Sequence, residues 1–469
     1  METGSFDVIK IFNHYFHKLT LLQIFFDFGV IVGGVSLAVL THLSGLASAS
    51  ISSIVVTKAL FFAIGILIVN SGLGLYDRAH SRTVGQTSAR AMLSLCLSLP
   101  LSYVILQISP LRLDDEFGFL LVLVIVTALM LVNRVHVIHA KSRVMMRPRV
   151  LVYGAGRRAE LVGKTLKKSD PNVDLVGYYA SPNETVKEVS AWGLLSTEKS
   201  LTDVVLEHQV DQIVVALSER RGGSMPLREL LDCKLQGVRV VDIATYFEIT
   251  LGQIRLDSVS AGWLIFGEGF NQGLVRTLIK RAFDIVCATL LVLLSLPVML
   301  IAAVMILIES GSPIFYLQER VGLNGRLFNV VKFRSMRTDA EKDGMPRWAS
   351  ATDDRVTRVG RVIRKLRIDE LPQLLSVLGG DMSLVGPRPE RPFFVDKLTQ
   401  EMPYYAVRQS VKPGLTGWAQ VRYHYGASIE DSAEKLQYDL YYVKNHSLFL
   451  DIVVLFETVG VVLMGKGAQ

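Results

Sequence analysis

Cysteine is scarce in this chain of 469 residues, which contains only Cys96, Cys233 and Cys287. The three are far apart in the sequence, and no two of them form a Cys-x-x-Cys pair. A disulfide framework and a structural zinc site both need several cysteines at short, regular spacings, so the sequence argues against both. Isolated thiols are typical of a protein that faces a reducing compartment such as the cytoplasm.

A cleavable signal peptide is also missing from the sequence pattern. The first apolar run covers residues 19–40, and no small-residue cleavage site follows it. A secretory signal has a shorter apolar core of roughly 7–15 residues. We therefore expect this run to stay in the protein as a membrane anchor.

Acidic residues are fewer than basic ones, with 43 Asp and Glu against 50 Lys and Arg, which gives a net charge of +7. Such an excess suits nucleic acid, anionic lipid or phosphorylated substrates as partners. Half of the residues are hydrophobic. This composition favours membrane lipids and phosphorylated substrates, and we expect no nucleic acid partner.

Four apolar runs in the first part of the chain are long enough to cross a bilayer core of about 30 Å. They predict a membrane α-helical bundle of four transmembrane helices within residues 1–145. Basic residues gather on one side of these runs, and the positive-inside rule makes that side the cytoplasm. Both soluble parts of the chain are therefore predicted to begin in the cytoplasm. The runs are residues 19–40, 54–70, 89–108 and 117–137.

Several apolar runs carry charged residues. Asp27 and Lys58 fall inside predicted spans, where a charge is a functional candidate by default. The alternative is a side chain that faces the bundle or extends to the interface. The last run, residues 448–464, contains Asp451 and Glu457 and is predicted to be an amphipathic helix at the membrane surface rather than a span.

Short β-rich runs alternate with helical stretches from residue 149 onward and predict a Rossmann-like α/β domain over residues 146–265. Gly154, Gly156 and Ala159 follow the first strand with the spacing of a dinucleotide-binding turn. The second strand ends at Tyr178-Tyr179 without an acidic residue to hold a ribose. Two interpretations stay open: a purely structural glycine turn, or a site for a nucleotide or regulatory ligand.

Another apolar run, about residues 282–308, has Pro297 near its middle, where proline breaks the helical hydrogen-bond ladder. Basic residues flank both of its ends, which places both ends on the cytoplasmic side. A helix that enters the membrane and returns satisfies both observations. The alternative is a fifth straight span, which would place everything after residue 310 outside the cell.

Cations and a carboxylate pair follow this run, after an Asn324-Gly325 pair that suits a tight turn between two strands. Lys332 and Arg334 lie two residues apart on one strand face and suit a diphosphate, although a solvated edge strand would look the same. The basic stretch that includes Arg364 and Arg367 leads to Asp369-Glu370, and Pro372 suits the first turn of the next helix.

The adjacent carboxylates of Asp369 and Glu370 repel one another, so they need cations or a metal ion in order to remain ionised together. Mg²⁺ usually takes one or two protein carboxylates plus substrate phosphates. One acid can then attack phosphorus while the other holds the metal. Arg388 stands alone in a turn between Pro387 and Pro389 and is a candidate phosphate clamp.

Long motifs cover the second half of the chain. They are KRAFDIVCATLLVLLSLP, QERVGLNGRLFNVVKFRSM, RVTRVGRVIRKLRIDELPQLLSVLGGDMSLVGPRPE, KPGLTGWAQV and EKLQYDLYYVKN. Residues 276–469 carrying them resemble bacterial polyprenyl-phosphate glycosyl-1-phosphate transferases, in particular the large form that starts exopolysaccharide or lipopolysaccharide repeat units. The resemblance implies an α/β catalytic domain on the cytoplasmic face of the bacterial inner membrane, with a re-entrant helix broken at Pro297.

Residue roles follow from the same resemblance. Asp369 looks like the nucleophile that attacks the β-phosphate of a UDP-sugar, releasing UMP, before undecaprenyl phosphate takes the sugar phosphate. Glu370 resembles the Mg²⁺ ligand. Phosphate or substrate binding is implied for Lys332, Arg334, Arg364, Arg367, Arg388 and the acidic position Asp439. Ser376 and Arg367 depart from residues common in the family, so contacts near the pair are expected to differ. A homodimer is a family-level expectation.

Two other functions compete with this one. A nucleotide-sugar dehydratase or epimerase would need a Tyr-x-x-x-Lys pair, which the sequence lacks. An inactive scaffold or sensor would not need the Asp369-Glu370 pair. No residue can be assigned to a sugar hydroxyl, so the sequence leaves the transferred hexose open.

Overall fold

The structure is a computed structural model that divides into two compact units, one containing Tyr15–Leu251 and the other Gly252–Gln469. The predicted boundaries at 145, 265 and 276 stay predictions. A few isolated positions between 92 and 132 are described in addition to the following ranges. These are residues 8–11, 14–42, 49–73, 75–76, 148–169, 173–182, 184, 188–190, 193–217, 225–257, 273–337, 355–423 and 428–463.

The chain begins with strands β1 (Val8–Ile11) and β2 (His14–His17), and two apolar helices of the first unit follow, α1 (Lys18–His42) and α2 (Ala49–Gly72). The helices pack against each other and cover the first two predicted spans. Asp27 on α1 is fully buried and accepts a hydrogen bond from the Tyr76 hydroxyl at 2.8 Å, which suits the interpretation of a charge facing the bundle. Apart from a few isolated positions, the predicted spans 89–108 and 117–137 lie outside the described part, as does the Lys58 side chain, so the four-span bundle stays a prediction.

Four parallel strands form the sheet of the first unit: β3 (Arg149–Tyr153), β4 (Asp174–Tyr179), β5 (Gln212–Val215) and β6 (Arg239–Asp242). Across the sheet their order is β4-β3-β5-β6. Alternate side chains of the central strands enter two separate cores, because Val150 and Val152 point to one face and Leu151 and Tyr153 to the other. The predicted α/β alternation is confirmed here. The helices that alternate with these strands are α3 (Arg157–Ser169), α4 (Leu201–Glu207), α5 (Leu227–Leu235) and α6 (Ile243–Leu251).

The second unit contains the long helix α7 (Leu274–Ser310), whose 37 residues span about 55 Å. Within the described residues, it is the one helix both long and apolar enough to cross a membrane, beside two shorter apolar helical stretches. The helix assignment continues through Pro297. A re-entrant path through the membrane therefore stays a prediction.

An antiparallel hairpin follows α7 and is built from β7 (Phe315–Val321) and β8 (Leu327–Phe333). Asn324 and Gly325 turn the chain between the strands with positive φ angles of 54° and 78°. Asparagine and glycine tolerate this left-handed conformation better than other residues. The turn expected from the Asn-Gly pair is confirmed.

Helices and one short parallel pair of strands complete the second unit around a core that includes Leu440, Tyr441 and Leu384. β9 and β10 are the paired strands. The elements are α8 (Arg358–Lys365), α9 (Gln373–Gly379), β9 (Ser383–Val385), α10 (Pro392–Glu401), β10 (Gly414–Thr416), α11 (Trp418–Arg422), α12 (Ile429–Asn445) and α13 (Leu448–Leu463).

The N-terminal third of α7 is held to this core by two basic side chains. Lys280 donates to the Asp451 carboxylate on α13 at 2.7 Å. Arg281 donates to the carbonyls of Val377 and Leu378 at the C-terminal end of α9, at 2.6 and 2.7 Å. These contacts satisfy carbonyls that a helix end leaves without an intrahelical partner. The Lys280 contact also pairs the buried Asp451, whose charge in the sequence predicts an amphipathic helix at the membrane surface.

The C-terminal end of α7 packs on the same unit. Ala302 and Ile306 form a small buried cluster with Phe333 of β8 and Ile363 of α8. Between the two attached ends the apolar side chains are largely exposed, and Leu294 reaches 77% exposure. Both ends of this helix are thus fixed to one compact unit, while its middle presents bare apolar surface.

Candidate active site

The Asp369-Glu370 pair lies at the junction between two helices. Thr357 caps the start of α8 by accepting a hydrogen bond from the Gly360 N–H. The helix ends when Arg367 adopts a left-handed conformation, with φ of 57°. A single helical turn (Ile368–Glu370) then carries both acids directly before α9. The expected location of the acids at the start of a new helix is confirmed.

Three cations surround the Glu370 carboxylate. One of its oxygens accepts from Arg388 at 2.5 Å and from Lys332 of β8 at 3.3 Å, and the other accepts from Arg367 at 3.5 Å. The side chain is 12% exposed. Burial would raise the pKa of Glu370, but Arg388, Lys332 and Arg367 together hold it well below its ordinary value. Glu370 is therefore ionised throughout the physiological range.

Asp369 has different surroundings from its neighbour. Within the described residues its carboxylate accepts no hydrogen bond. Burial, and then the charge of Glu370, raise the pKa of Asp369 to about 6, while Lys332, Arg364 and Arg388 partly oppose the rise. A carboxylate with few hydrogen bonds and a raised pKa is more reactive toward phosphorus than one held by several cations. The pair thus separates into a structural anion and a reactive one.

Four of the predicted cations meet at this pair, although they come from distant parts of the sequence. Lys332 arrives from β8, Arg364 from α8, Arg367 from the turn after α8, and Arg388 from the turn after β9. Burial and the nearby Arg388 and Arg320 lower the pKa of Lys332, and Glu370 opposes this shift. The site is a cationic pocket around two carboxylates, which suits an anionic phosphate group.

Arg334 and Asp439 occupy other positions. The Arg334 guanidinium is buried and donates to the carbonyls of Ser310 and Gly311 at the end of α7, at 2.8 and 2.6 Å. The expected convergence of Lys332 and Arg334 on one phosphate group is therefore not seen. Asp439 on α12 is buried and pairs with Arg408 rather than joining the carboxylate pair.

Two arginines near Arg388 are not among the site residues predicted from the sequence. Arg408 donates to the Arg388 carbonyl, and Arg320 donates to the Pro389 carbonyl. Arg320 lies in the motif QERVGLNGRLFNVVKFRSM, which carries the family resemblance and could have marked Arg320 as a site residue. Arg408 stands alone in a short helical turn, Tyr405–Ser410, where no residue pattern marks it.

In the first unit, the Glu184 carboxylate binds a backbone N–H of the predicted glycine turn. Gly154 follows β3 with φ of 126°, and a Cβ there would lie 3.1 Å from the Ala216 carbonyl oxygen. The Ala155 N–H donates to the Glu184 carboxylate at 2.7 Å. A ligand phosphate would compete for this backbone donor. The contact favours the structural interpretation of Gly154 and Gly156, and a ligand role for them stays a prediction.

The carboxylate pair also has the donor chemistry that Mg²⁺ needs. Within the described residues, no group of three or more His, Cys, Asp or Glu side chains could enclose a metal ion. Mg²⁺ does not require such a cage, because it takes one or two carboxylates and completes its shell with phosphates and water. Asp369 and Glu370 fit this partial set. Three cations already flank Glu370, so substrate phosphates would have to offset the added positive charge.

These features define the class of site: a cationic pocket that suits a phosphate group, with one carboxylate held by cations and a second of raised pKa, next to a long exposed apolar helix. Residues 275–465 match the family of bacterial sugar transferases. The chain is 32% identical over 337 residues to UDP-glucose:undecaprenyl-phosphate glucose-1-phosphate transferase of Xanthomonas campestris, covering 70% of this chain and 69% of that protein. The chain belongs to this family of bacterial sugar transferases.

Other relatives are similar over shorter stretches. UDP-N-acetylgalactosamine-undecaprenyl-phosphate N-acetylgalactosaminephosphotransferase of Aeromonas hydrophila is 44% identical over 242 residues, which is 52% of this chain and 56% of that protein. UDP-glucose:undecaprenyl-phosphate glucose-1-phosphate transferase of Escherichia coli is 40% identical over 196 residues, 41% of this chain and 42% of that protein. The matches thus span about half the length of these two relatives.

Proposed function

We propose that this protein transfers a hexose 1-phosphate from a UDP-sugar to undecaprenyl phosphate, releasing UMP through an aspartyl-phosphosugar intermediate. This would be the first membrane step in making an exopolysaccharide or lipopolysaccharide repeat unit. One observation carries the proposal: two adjacent carboxylates in a cationic pocket, of which Glu370 is paired with cations while Asp369 is paired with none among the described residues. The names of the relatives support the donor and the acceptor.

In the first step, an oxygen of the ionised Asp369 attacks the β-phosphorus of the UDP-sugar. The bond from that phosphorus to the bridging oxygen breaks, and UMP leaves with the electron pair. The product is a mixed anhydride between Asp369 and the sugar phosphate. Arg388 and Lys332 are placed to hold the charge that gathers on the phosphate oxygens, and fixed cations in a water-poor site stabilise that charge strongly.

In the second step, a phosphate oxygen of undecaprenyl phosphate attacks the same phosphorus. The bond to Asp369 breaks, the carboxylate is regenerated, and the lipid leaves as a diphosphate-linked sugar. The two substrates therefore need not be bound together. When bound by Asp369 and Glu370, Mg²⁺ would supply further positive charge to the donor diphosphate and aid UMP departure.

The lipid substrate explains why the site should lie near a membrane. Both ends of α7 are attached to the unit that carries Asp369, and its exposed apolar middle suits lipid contact. We propose that α7 enters and leaves the membrane on the cytoplasmic side. A polyprenyl phosphate could then reach Asp369 without leaving its leaflet, and the nucleotide sugar would arrive from the cytoplasm.

The test follows UMP release by purified protein in nanodiscs with Mg²⁺, undecaprenyl phosphate and a panel of UDP-sugars. We expect release with at least one sugar, and its loss in Asp369→Asn. Asp396→Asn is a matched control, because Asp396 is an exposed aspartate on α10. Mass spectrometry without acceptor should detect a sugar phosphate on the peptide that contains Asp369. If no sugar supports release by folded protein, the scaffold or sensor function replaces this proposal.

A further inference from the structure

The turn that carries Arg388 is fixed at every carbonyl from residue 387 to residue 390. Backbone N–H groups of Gly414 and Val321 donate to the first and last of these carbonyls, at 2.9 and 3.0 Å. Arginine side chains donate to the two in between. Arg408 reaches the Arg388 carbonyl at 2.7 Å, and Arg320 reaches the Pro389 carbonyl at 2.9 Å. The backbone that presents Arg388 is thus held from outside along its whole length.

Fixing this backbone has a chemical consequence. An arginine side chain has several rotatable bonds, so the position of its guanidinium depends on a firm anchor at the Cα atom. Pro387 and Pro389 restrict the backbone on either side of Arg388. The carbonyl contacts then select one orientation, in which the guanidinium meets the Glu370 carboxylate. A displacement of about 1 Å in such a group can reduce a rate by two orders of magnitude.

Arg408 is itself held by a buried carboxylate. Its Nε donates to Asp439 at 2.8 Å, and its Nη1 donates to the Tyr405 hydroxyl at 3.2 Å. Arg408 is 8% exposed and the Asp439 side chain 4%. Burial raises the pKa of Asp439, while Arg408 opposes that shift. The Asp439 side chain is enclosed by protein. The Arg408 guanidinium donates to Asp439, to the Tyr405 hydroxyl and to the Arg388 carbonyl, while Arg408 also lines a small cavity beside Arg388.

We propose that Arg408 is a positioning residue that fixes the Arg388 backbone, and that Asp439 acts on the reaction only through Arg408. The expected loss of activity rests on the proposed function, whereas the expected loosening of the Arg388 turn does not. It changes the expected role of Asp439 from a substrate-binding group to the anchor of a buried arginine. Arg388 remains the group that meets the phosphate.

The structural test is hydrogen–deuterium exchange of the full-length protein in nanodiscs. Arg408→Lys keeps the charge, but an ammonium group cannot bond Asp439 and the Arg388 carbonyl with the geometry of a planar guanidinium. We expect faster exchange in peptides containing the Val321 and Gly414 amides, whose acceptors lie on the turn. Asp439→Asn should give the same pattern. The matched control is Arg422→Lys, at an arginine that bonds Glu457 and lies over Trp418, and it should leave these peptides unchanged.

The kinetic test is a double-mutant cycle on UMP release. Arg408→Lys alone should lower kcat/KM on the order of 10- to 100-fold without a matching loss of melting temperature. In the Arg388→Ala background, adding Arg408→Lys should cause little further loss, because the residue that it positions is already gone. A merely structural role would lower activity by the same factor in both backgrounds.

The outcomes separate the two proposals. Unchanged exchange at Val321 and Gly414 in Arg408→Lys would overturn the positioning role, whatever the enzyme does. Independent effects of the Arg388 and Arg408 substitutions would overturn it as well. If the wild-type protein releases no UMP, the proposed function fails, while the exchange experiment still decides whether Arg408 holds the turn.

Discussion

Asp369 and Glu370 are neighbours in the chain but occupy opposite electrostatic environments. Three cations contact Glu370, and their combined attraction exceeds the effect of burial on its pKa. Lys332, Arg364 and Arg388 lower the pKa of Asp369 only from a longer distance, and the charge of Glu370 raises it. The difference arises from side-chain direction at two consecutive positions of one helical turn. It gives one acid a fixed role in the pocket and leaves the other able to react.

The raised pKa of Asp369 leads to a prediction for the pH dependence of the first step. Because the attacking carboxylate must be ionised, single-turnover UMP release without acceptor should fall about tenfold per pH unit below about pH 6. Omitting undecaprenyl phosphate removes that lipid's own titration from the profile. Arg364→Gln should move the fall to higher pH, because Arg364 lowers the pKa of Asp369. Arg361→Gln, an exposed arginine on the same helix, is the control. A flat profile down to pH 4.5 would contradict the assignment.

The two acids should also have opposite effects on stability. At pH 7 the folded protein carries Asp369 ionised against a raised pKa, so Asp369→Asn should increase the free energy of unfolding by on the order of 2 kcal/mol. This gain is fully present above about pH 6 and disappears as the pH falls below the ordinary aspartate pKa of 3.8, where the aspartate is neutral in both states. Thermal unfolding in detergent measures it.

Glu370→Gln should instead lower the free energy of unfolding. Its lowered pKa means that ionised Glu370 stabilises the fold at neutral pH and that this contribution is lost on acidification below its unfolded pKa. Removing the charge leaves Arg388, Lys332 and Arg367 without their common partner, which should cost on the order of 3 kcal/mol at pH 7. Equal effects from the two substitutions would show that the acids do not differ in the way the geometry indicates.

At the scale of elements, α7 is distinguished by how it is attached. Its N-terminal third is fixed by Lys280 and Arg281 and its C-terminal end by Ala302 and Ile306, all to one compact unit. The exposed middle has no comparable covering among the described residues. A helix whose two ends are anchored on the same body is suited to dip into a membrane and return. The basic residues that flank both ends of α7 favour this path over a straight span, because positive charge marks the cytoplasmic side.

Cysteine labelling can test this path. In a variant with Cys96, Cys233 and Cys287 replaced by serine, a single cysteine is placed at Gly273 or at Ser312, which are exposed positions before and after α7. Both should react with a membrane-impermeant maleimide only after the cells are permeabilised, because both ends are expected on the cytoplasmic side. Labelling at Ser312 in intact spheroplasts would instead support a fifth straight span.

At the scale of the whole molecule, the second unit holds every group assigned to the chemistry. Lys332, Arg364, Arg388 and both acids all lie between Gly252 and Gln469. The unit also includes a short segment before α7: the Gly252 carbonyl accepts from the Trp418 indole N–H, and Ile254 is buried in the core. The chemistry and the core that supports it therefore belong to one folding unit.

A protein truncated to residues 252–469 should fold in detergent and release UMP with kcat/KM within about tenfold of the full chain. A truncation that begins at Gly273 is the informative control. It lacks the Gly252 hydrogen bond and the buried Ile254, and loss of such a buried side chain typically destabilises by about 2–5 kcal/mol. We expect a lower melting temperature for this shorter protein. Loss of activity in the 252–469 protein would assign a catalytic role to the first unit.

Local patterns predicted much of this molecule. The α/β alternation, the Asn324-Gly325 turn and the place of Asp369 before a helix started by Pro372 each depend on residues close together in the chain. The structure shows all three. Periodicity and turn chemistry act over a few residues, so they can be read from sequence without knowing the fold. The resemblance to the family, likewise carried by contiguous motifs, is confirmed by the comparisons.

Only the tertiary structure decided which side chains meet. Lys280 and Asp451 are 171 residues apart, and their contact turns a charge expected at a membrane surface into a buried anchor for α7. Arg334 donates to carbonyls at the end of α7, and Asp439 pairs with Arg408, although both were expected to take part in phosphate or substrate binding. A sequence states which charges are available, but burial and chain path determine their partners. The physical reason is that desolvation forces each buried charge to pair with whatever opposite charge or carbonyl the fold brings near.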